Sequence, residues 1–545
     1  MVKIALPSIV ISCLILVSIL IKLEYFGITP FVFWLFSIFI TICIFPPTVN
    51  FPKKNSKNYY PYLIIILITV LYSLRGILFI DPSNLYFHGD EGIISRNAQN
   101  NFINTVNLGK WNLFGSEEGT LNRLPAIWYF IQGFIINVLG PSIFSIKFFS
   151  LITDFFICVI GYLLLKKFLD HKFGLIFILI YATLPISVHF SLTGYQNIQS
   201  TLFLIISVYF LLSSFQNQTN KSFFLLLSGI TSSLSFYFYL SATIVPVILI
   251  CCLFCFSLKN FFKTFTIYLI GLIEGLIPYL ASSYFHYSFI TGRKEAILSF
   301  NFSKNIFELL FTQVKTYLSG FLPTGSMSGS GFFYGYLPGF NSWILLVLFL
   351  VGIIFIFSKR NLLGIISLVT IVVTSITGGI LTSEPPAPQR LIHLFPFMVI
   401  VICFGLKFIT HFVNKKFFLL FIVAIIFSTN VYFFIHSNLS TYHTFFNQDV
   451  SDIFRIVTVN PKPIYFSTYS TKINQIYYLT NGLIDPQVIY NCDNRYESLQ
   501  RFKSIYFVVG GSNILPNCDF RESITLVKEW NTVFGPTSLY QLDSI

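Results

Sequence analysis

The chain has 545 residues, of which 55% are hydrophobic and 10% charged, and its mean hydropathy is +0.75. Soluble domains carry about 25% charged residues, so a soluble enzyme is excluded and an integral membrane protein is implied. The net charge of +13 is scattered along the chain, which excludes the clustered stripe of a nucleic-acid-binding protein and fits basic cytoplasmic loops.

Apolar runs long enough to cross ~30 Å of hydrocarbon as helices recur along most of the sequence. They do not alternate as barrel strands do. The first three predicted spans fall near 5–22, 30–46 and 62–80. The first has no clear small-residue cleavage site, so it is expected to be retained rather than removed as a signal peptide. The next segment, 81–145, is long and partly polar. It opens with "YFHGDEGIISRNAQN" (86–100), which clusters His88, Asp90, Glu91 and Arg96. A carboxylate in an outer loop is explained by solvation alone. The functional alternatives are a general base for an acceptor hydroxyl and a pair of oxygens for a divalent metal ion. Further on, "LNRLPAIWYF" (121–130) places Arg123 before Pro125, Trp128 and Tyr129. Such residues anchor a segment at the membrane interface, and an arginine there can also grip a phosphate. Residues 126–140 are apolar but short for a crossing, and are expected to form a helix along the membrane surface.

Spans follow near 146–165, 173–190, 198–214, 222–238, 243–257 and 264–281. The turn "SLTGYQNIQS" (191–200) carries Asn197, either a helix cap or a site residue. A second long segment, 282–341, contains a Gly/Ser/aromatic loop at 320–339 that either closes over a site or merely connects. The last spans lie near 342–358, 361–381, 391–408 and 417–435, which makes thirteen. In "SEPPAPQRLIHLFP" (383–396), Arg390 and His393 stand three apart at the start of a span, on one helical side. Arg75, Asp154 and Glu274 fall inside spans, where charges are expensive and pair or line a cavity. Pairing with a neighbouring helix is the expectation for Asp154 and Glu274.

Alternating thirteen spans puts the loops containing Lys53, Lys54 and Lys57, Lys166, Lys167 and Lys172, Lys259 and Lys263, Lys359 and Arg360, and Lys407, Lys415 and Lys416 on one side. That side is then cytoplasmic, with the N-terminus inside and the C-terminus outside. The tail, 436–545, reads differently from the rest. "KPIYFSTYS" and "SIYFVVGG" have the composition of strands. "TKINQIYYLTNG" between them reads as a helix ending at Gly482. A small extracytoplasmic α/β domain is expected, in which Cys492 and Cys518 can pair. The other cysteines lie in apolar runs as small packing residues. No internal repeat, P-loop or dinucleotide fingerprint is evident.

Taken in order, these elements resemble the GT-C superfamily of membrane glycosyltransferases, in the branch of bacterial protein O-mannosyltransferases and the aminoarabinose transferase acting on lipid A. The branch's acidic pair and following helix are matched by Asp90-Glu91 and "ISRNAQN". Its G-x-W element is matched by Gly109-Lys110-Trp111. A basic residue, proline and aromatic pair are matched by Arg123, Pro125 and Trp128-Tyr129. The "fGpSxFSxR" element is echoed by "LGPSIFSIKFFS", with Lys147 in place of the arginine. "SRxGxxN" appears as "SLTGYQN", with Leu192 in place of the arginine. "RYxLPxxP" appears as "RLIHLFP", keeping Arg390 and Pro396. The likeness covers roughly 62–435.

The resemblance implies an α-helical multi-spanning GT-C fold of about thirteen transmembrane helices. Residues 1–61 are an added pair of spans, 62–435 the catalytic domain with outer loops 81–145 and 282–341, and 436–545 the extracytoplasmic α/β appendage. It further implies transfer of a sugar from a polyprenyl phosphate to a protein, lipid or glycan acceptor at the outer face of the cell membrane, with inversion at the anomeric carbon. Asp90 is then the base and Glu91 holds the acceptor or a metal ion. Arg123, Arg390 and His393 bind the donor phosphate, and His88, Arg96 and Asn197 line the acceptor or sugar pocket. No cofactor is required, although the acidic pair leaves a divalent metal ion open. The alternative is a transporter or flippase of a lipid-linked saccharide, for which repeat symmetry is expected. A structural subunit of an envelope complex leaves the clustered outer-loop residues without a role.

Overall fold

The structure, a computed structural model, describes residues 2–23, 28–46, 60–78, 89–108, 126–256, 260–285, 306–325, 339–381, 387–412, 416–433, 448–459, 464–466, 477–479, 483, 487–488, 504–510, 524–532 and 535–543. Its helices are α1 (Val2–Lys22), α2 (Ile28–Ile44), α3 (Tyr60–Leu78), α4 (Gly89–Leu108), α5 (Ala126–Leu139), α6 (Ile143–Phe168), α7 (His171–Thr183), α8 (Pro185–Ser191) and α9 (Asn197–Gln216). They continue as α10 (Lys221–Leu234), α11 (Ile244–Phe256), α12 (Phe261–Phe285), α13 (Ile306–Phe321), α14 (Trp343–Lys359) and α15 (Leu362–Thr374). The last are α16 (Pro388–Phe412), α17 (Lys416–Phe433) and α18 (Gln448–Val459).

Each expected span falls on a helix, with α7 and α8 together making one. Among the described residues, five helices are long and apolar enough to cross a membrane by themselves: α6, α9, α12, Leu362–Ile380 and α16. The α7–α8 pair, bent by 66°, is a sixth if counted as one span. Pro185 opens α8 and cannot donate the hydrogen bond that would continue α7, which accounts for the bend.

Helix pairing uses small residues where backbones meet. A side chain at Gly229 of α10 would stand 2.1 Å from the Tyr268 carbonyl of α12. One at Gly352 of α14 would stand 2.1 Å from the Val401 carbonyl of α16, and one at Gly405 would stand 2.0 Å from the Leu348 carbonyl. In lipid, apolar helices gain little from burial itself, so close van der Waals contact between backbones carries the association.

Of the charges within spans, Arg75 and Asp154 pair with each other. Arg75 of α3 donates to Asp154 Oδ2 of α6 at 2.6 Å, to Ser191 Oγ at 3.0 Å and through Nε to the Ala182 carbonyl at 3.0 Å. The same carboxylate accepts from Tyr72 at 2.7 Å, Tyr181 at 2.6 Å and Ser187 at 3.1 Å. Glu274 of α12 accepts from Thr41 of α2 at 2.6 Å, and its carbonyl accepts from the Trp34 indole at 3.2 Å. Its partners are neutral donors rather than a cation. They tie the N-terminal hairpin α1–α2 to the bundle.

Two short helices lie in the long segments between spans. At 1.5 Å per residue, the 14 residues of α5 reach only about 21 Å. Trp128, Tyr129 and Ile136 are buried, and Gly133 lets α5 approach the Ala98 carbonyl of α4. Helix α13, in the long segment before α14, was not expected from the sequence. Tyr317 is its buried anchor. The hydroxyl donates to Ser375 Oγ at 2.6 Å, and the ring lies over Gly379 in the π-helical turn Ser375–Ile380. Most of the Gly/Ser/aromatic loop lies outside the described residues.

The tail carries α18 and a five-stranded mixed sheet, β1 (Ile464–Phe466), β2 (Gln487–Val488), β3 (Ser504–Gly510), β4 (Ile524–Thr532) and β5 (Gly535–Asp543), in the order β2-β1-β3-β5-β4. The first three strands are parallel, and β5 runs antiparallel to both β3 and β4. Strands β1 and β3 occupy the two expected strand segments. Of the expected helix between them, residues 477–479 and 483 are described. Cys492 and Cys518 lie outside the described residues.

Candidate active site

The sequence "GPSIFSIK" explains its own local structure. Gly140 has φ +79°, a left-handed conformation that glycine adopts without steric cost. Ser142 is the N-cap of α6: its Oγ accepts from Ser145 N, and Ser145 Oγ accepts from Ser142 N. This reciprocal box satisfies two otherwise orphaned donors. It also fixes the rotation of α6, and so fixes where Lys147 stands in its first turns.

Glu91, the third residue of α4, is wholly buried. Its Oε2 accepts from the Gly194 backbone N–H at 2.7 Å and lies 4.0 Å from Lys147 Nζ. The amino end of a helix favours a carboxylate, and a backbone N–H with an ammonium completes the compensation that burial demands. Gly194 is needed for closeness. A Cβ there would stand 2.4 Å from Ile146 Cγ2 and 3.2 Å from Glu91 Oε2. Three separate sequence elements therefore meet: the acidic pair, the "GPSIFSIK" helix start and the "SLTGYQN" turn.

Helix α6 extends this contact inward. Lys147, Ser150 and Asp154 follow at helical spacing on one side. Lys147 faces Glu91, Ser150 Oγ donates to the Tyr195 carbonyl at 3.2 Å, and Asp154 holds Arg75. Gln132 of α5 donates to the Ser145 and Ile146 carbonyls at 3.3 and 3.0 Å. The 191–197 turn is thus held by Arg75 at Ser191, by Glu91 at Gly194 and by Ser150 at Tyr195.

The remaining site candidates are placed as follows. Position 90 precedes Glu91 in the first turn of α4, 100° away around the helix. The Asp90 side chain, His88 and Arg123 lie outside the described residues, as does Gly109-Lys110-Trp111. Asn197 is buried at the first position of α9. Arg390 is half-buried at the start of α16, with its backbone against Gly378. His393 does not share its setting. It is wholly buried, with Nδ1 3.0 Å from Thr201 Oγ1 and Nε2 3.5 Å from Ser200 Oγ. Helix α16 begins with α-helical residues 388–391 followed by a 3-10 turn at 392–394. Arg96 lies with its guanidinium carbon 3.9 Å from the centroid of the Tyr477 ring in the tail.

Among the described residues, no group of three or more His, Cys, Asp and Glu gathers as for a metal ion. The local chemistry at Glu91 also does not suit one. A divalent cation on that carboxylate would have to share it with the Lys147 ammonium and the Gly194 N–H. Lys147 and Gly194 were read in the sequence only as matches to motif positions. A lone lysine in the first turns of a span, opposite an acidic pair in another outer segment, is the signal that points to their meeting.

Residues 124–285 match the family described as dolichyl-phosphate-mannose-protein mannosyltransferase. ArnT from Cupriavidus metallidurans bound to undecaprenyl phosphate aligns with a TM-score of 0.53, at 10% identity, over 89% of this chain and 98% of that one. The chain therefore has the GT-C fold of this ArnT. The apo form of the same ArnT aligns with a TM-score of 0.53 at 11% identity, over 88% of this chain and 98% of its own. An Archaeoglobus fulgidus oligosaccharyltransferase aligns less closely, with a TM-score of 0.49 at 12% identity over 83% and 69% of the two chains. No curated protein sequence matches this chain. The family match contains Lys147 and Gly194, whereas Asp90, Glu91 and Arg390 lie outside it.

Proposed function

We propose that the protein transfers a sugar from a polyprenyl-phosphate donor to an acceptor hydroxyl at the extracytoplasmic face of the cell membrane. One observation carries the reading: Glu91, Lys147 and Gly194, one from each of three elements that resemble the family's motifs, meet within 4.0 Å. The sequence separation of these elements is otherwise unexplained. The family match to a lipid-phosphate-mannose mannosyltransferase supports the same donor chemistry.

In this reading Asp90 takes the proton from the acceptor hydroxyl. The oxygen attacks the anomeric carbon, and the carbon–oxygen bond to phosphate breaks on the opposite side, inverting the centre. The electron pair leaves with the lipid phosphate, whose growing charge is met by Arg390 and Arg123. Two cationic side chains can offset the monophosphate, so no metal ion is needed. Glu91 is a positioning residue: it fixes the first turn of α4 beside the 191–197 turn, and with it the backbone at position 90. His393 belongs to the support of α16 and leaves phosphate binding to the arginines.

The test is incubation of the purified protein with a panel of labelled polyprenyl-phosphate sugars. One donor should be consumed by the native protein and spared by Asp90→Asn. Consumption of none, with transbilayer movement of a lipid-linked saccharide instead, would put the transporter reading in its place.

A further inference from the structure

The tail is not packed as an independent bead. Its apolar core, built from Val450, Ile453, Ile464, Tyr478, Leu479, Val508 and Leu539, also contains Ile136 of α5 and Ile146 of α6. Both membrane-domain residues are wholly buried. Ile146 has a second neighbour: its Cγ2 stands where a side chain on Gly194 would be, 2.4 Å from that Cβ position. Its carbonyl is also held by Gln132 at 3.0 Å. One isoleucine therefore touches the tail core on one side and the turn that binds Glu91 on the other. The next residue, Lys147, faces Glu91 itself.

A second contact reaches the same helix. Arg96 of α4 lies over the Tyr477 ring at 3.9 Å, and the Tyr477 ring meets that of Tyr478 edge-on at 5.1 Å. Tyr478 is wholly buried, and burial pushes its phenol pKa up, so it stays neutral and serves as part of the core. Arg96 is five residues from Glu91, or about 7.5 Å along α4. A guanidinium is attracted to the face of an aromatic ring, so the stack biases the orientation of α4.

We infer that the C-terminal domain is a positioning element of the active site, acting through the Tyr477–Arg96 stack on α4 and the tail-core contact with Ile146. It sets the register of α4 against the 191–197 turn, and thereby the place of the acidic pair. This rests on the glycosyltransferase reading for its effect on rate, but the mechanical claim stands apart from it. The rival is a tail that only recognises the acceptor. That role would change acceptor affinity and leave donor turnover and α4 untouched.

The experiment uses the full-length protein with Tyr477→Ala and Tyr477→Phe. Arg96→Gln is a second route should Tyr477→Ala fail to fold. Two readouts are taken: amide hydrogen exchange at residues 91–97 and 192–197, and donor consumption with and without acceptor. Tyr477→Ala and Arg96→Gln should exchange faster in both segments. They should also lower kcat about 10- to 100-fold for transfer and for donor hydrolysis alike, since small displacements of reacting groups cost that much, with acceptor KM little changed. Tyr477→Phe keeps the ring face and should behave as native. Unchanged exchange in both disruptive variants overturns the inference, whether activity stays native or only acceptor KM rises. If the native protein consumes no donor, the glycosyltransferase reading fails, and the exchange result alone decides the positioning claim.

Discussion

Asp90 and Glu91 are neighbours in sequence, about 100° apart around the first turn of α4. Glu91 is enclosed, with a backbone N–H at 2.7 Å and an ammonium at 4.0 Å. Removing its charge leaves Lys147 buried beside a neutral amide, and breaking a buried pair costs about 3–5 kcal/mol. Glu91→Gln should therefore lower the unfolding temperature of the detergent-solubilised protein. Lys147→Met in the same chain should restore much of it, because a neutral pair of similar volume carries no uncompensated charge. Asp90→Asn is expected to act on rate instead: general-base assistance is worth about 10²–10⁴, so kcat should drop by that range with the unfolding temperature unchanged. Transfer at near-native rate by Asp90→Asn would remove it as the base. At this scale the sequence offered the pair as candidates with divided roles. It did not show that Glu91 meets Gly194, because a hydrogen bond between residues 103 apart leaves no local pattern.

Helix α6 does the most to join distant elements. Its outer turn meets α4 at Glu91, its middle meets the 191–197 turn through Ser150, and Asp154 draws α3, α7 and α8 onto one carboxylate. Arg75→Met would leave Asp154 with hydroxyl donors and no cation. The expected loss is about 3–5 kcal/mol, read as a lower midpoint in thermal unfolding, and Asp154→Leu in the same protein should recover part of it. No recovery would mean that the tyrosine hydroxyls, rather than the charge pair, carry the contact. The spans were legible because lipid imposes length and apolarity on each of them. The pairing of Asp154 was legible for the same reason, since an unpaired charge there is costly. Helix α13 was not, because a helix held by one buried tyrosine against a turn more than fifty residues away carries only a short amphipathic pattern. Strands β4 and β5 were missed although Ile524–Thr532 and Gly535–Asp543 form a hairpin rich in β-branched and aromatic residues. Their charged and polar positions weakened the alternation that identifies a strand.

At the scale of the whole molecule, the GT-C fold brings the acidic pair, the 191–197 turn and the tail to one end of the bundle. The proposed reaction needs that end to be outside, where a lipid-phosphate sugar presents its anomeric carbon. The sequence bears on this through its basic loops: the clusters at 53–57, 166–172, 259–263, 359–360 and 407–416 fall on one side when thirteen spans alternate, and lysine and arginine in short loops stay cytoplasmic. The helices at 143–168 and 343–359 end in such clusters, at Lys166 and Lys167 and at Lys359. Their other ends carry the Ser142 and Ser342 caps, and Ser142 stands beside the proposed site. A membrane-impermeant thiol reagent tests the orientation directly. In a chain whose native cysteines are replaced, a cysteine introduced at 55 should stay unlabelled in intact cells and label after lysis. One introduced at 483, an exposed position in the tail, should label without lysis. The reverse pattern would place Glu91, Arg390 and the tail in the cytoplasm, where a nucleotide-activated sugar could serve as donor, and it would overturn the lipid-phosphate reading together with the topology.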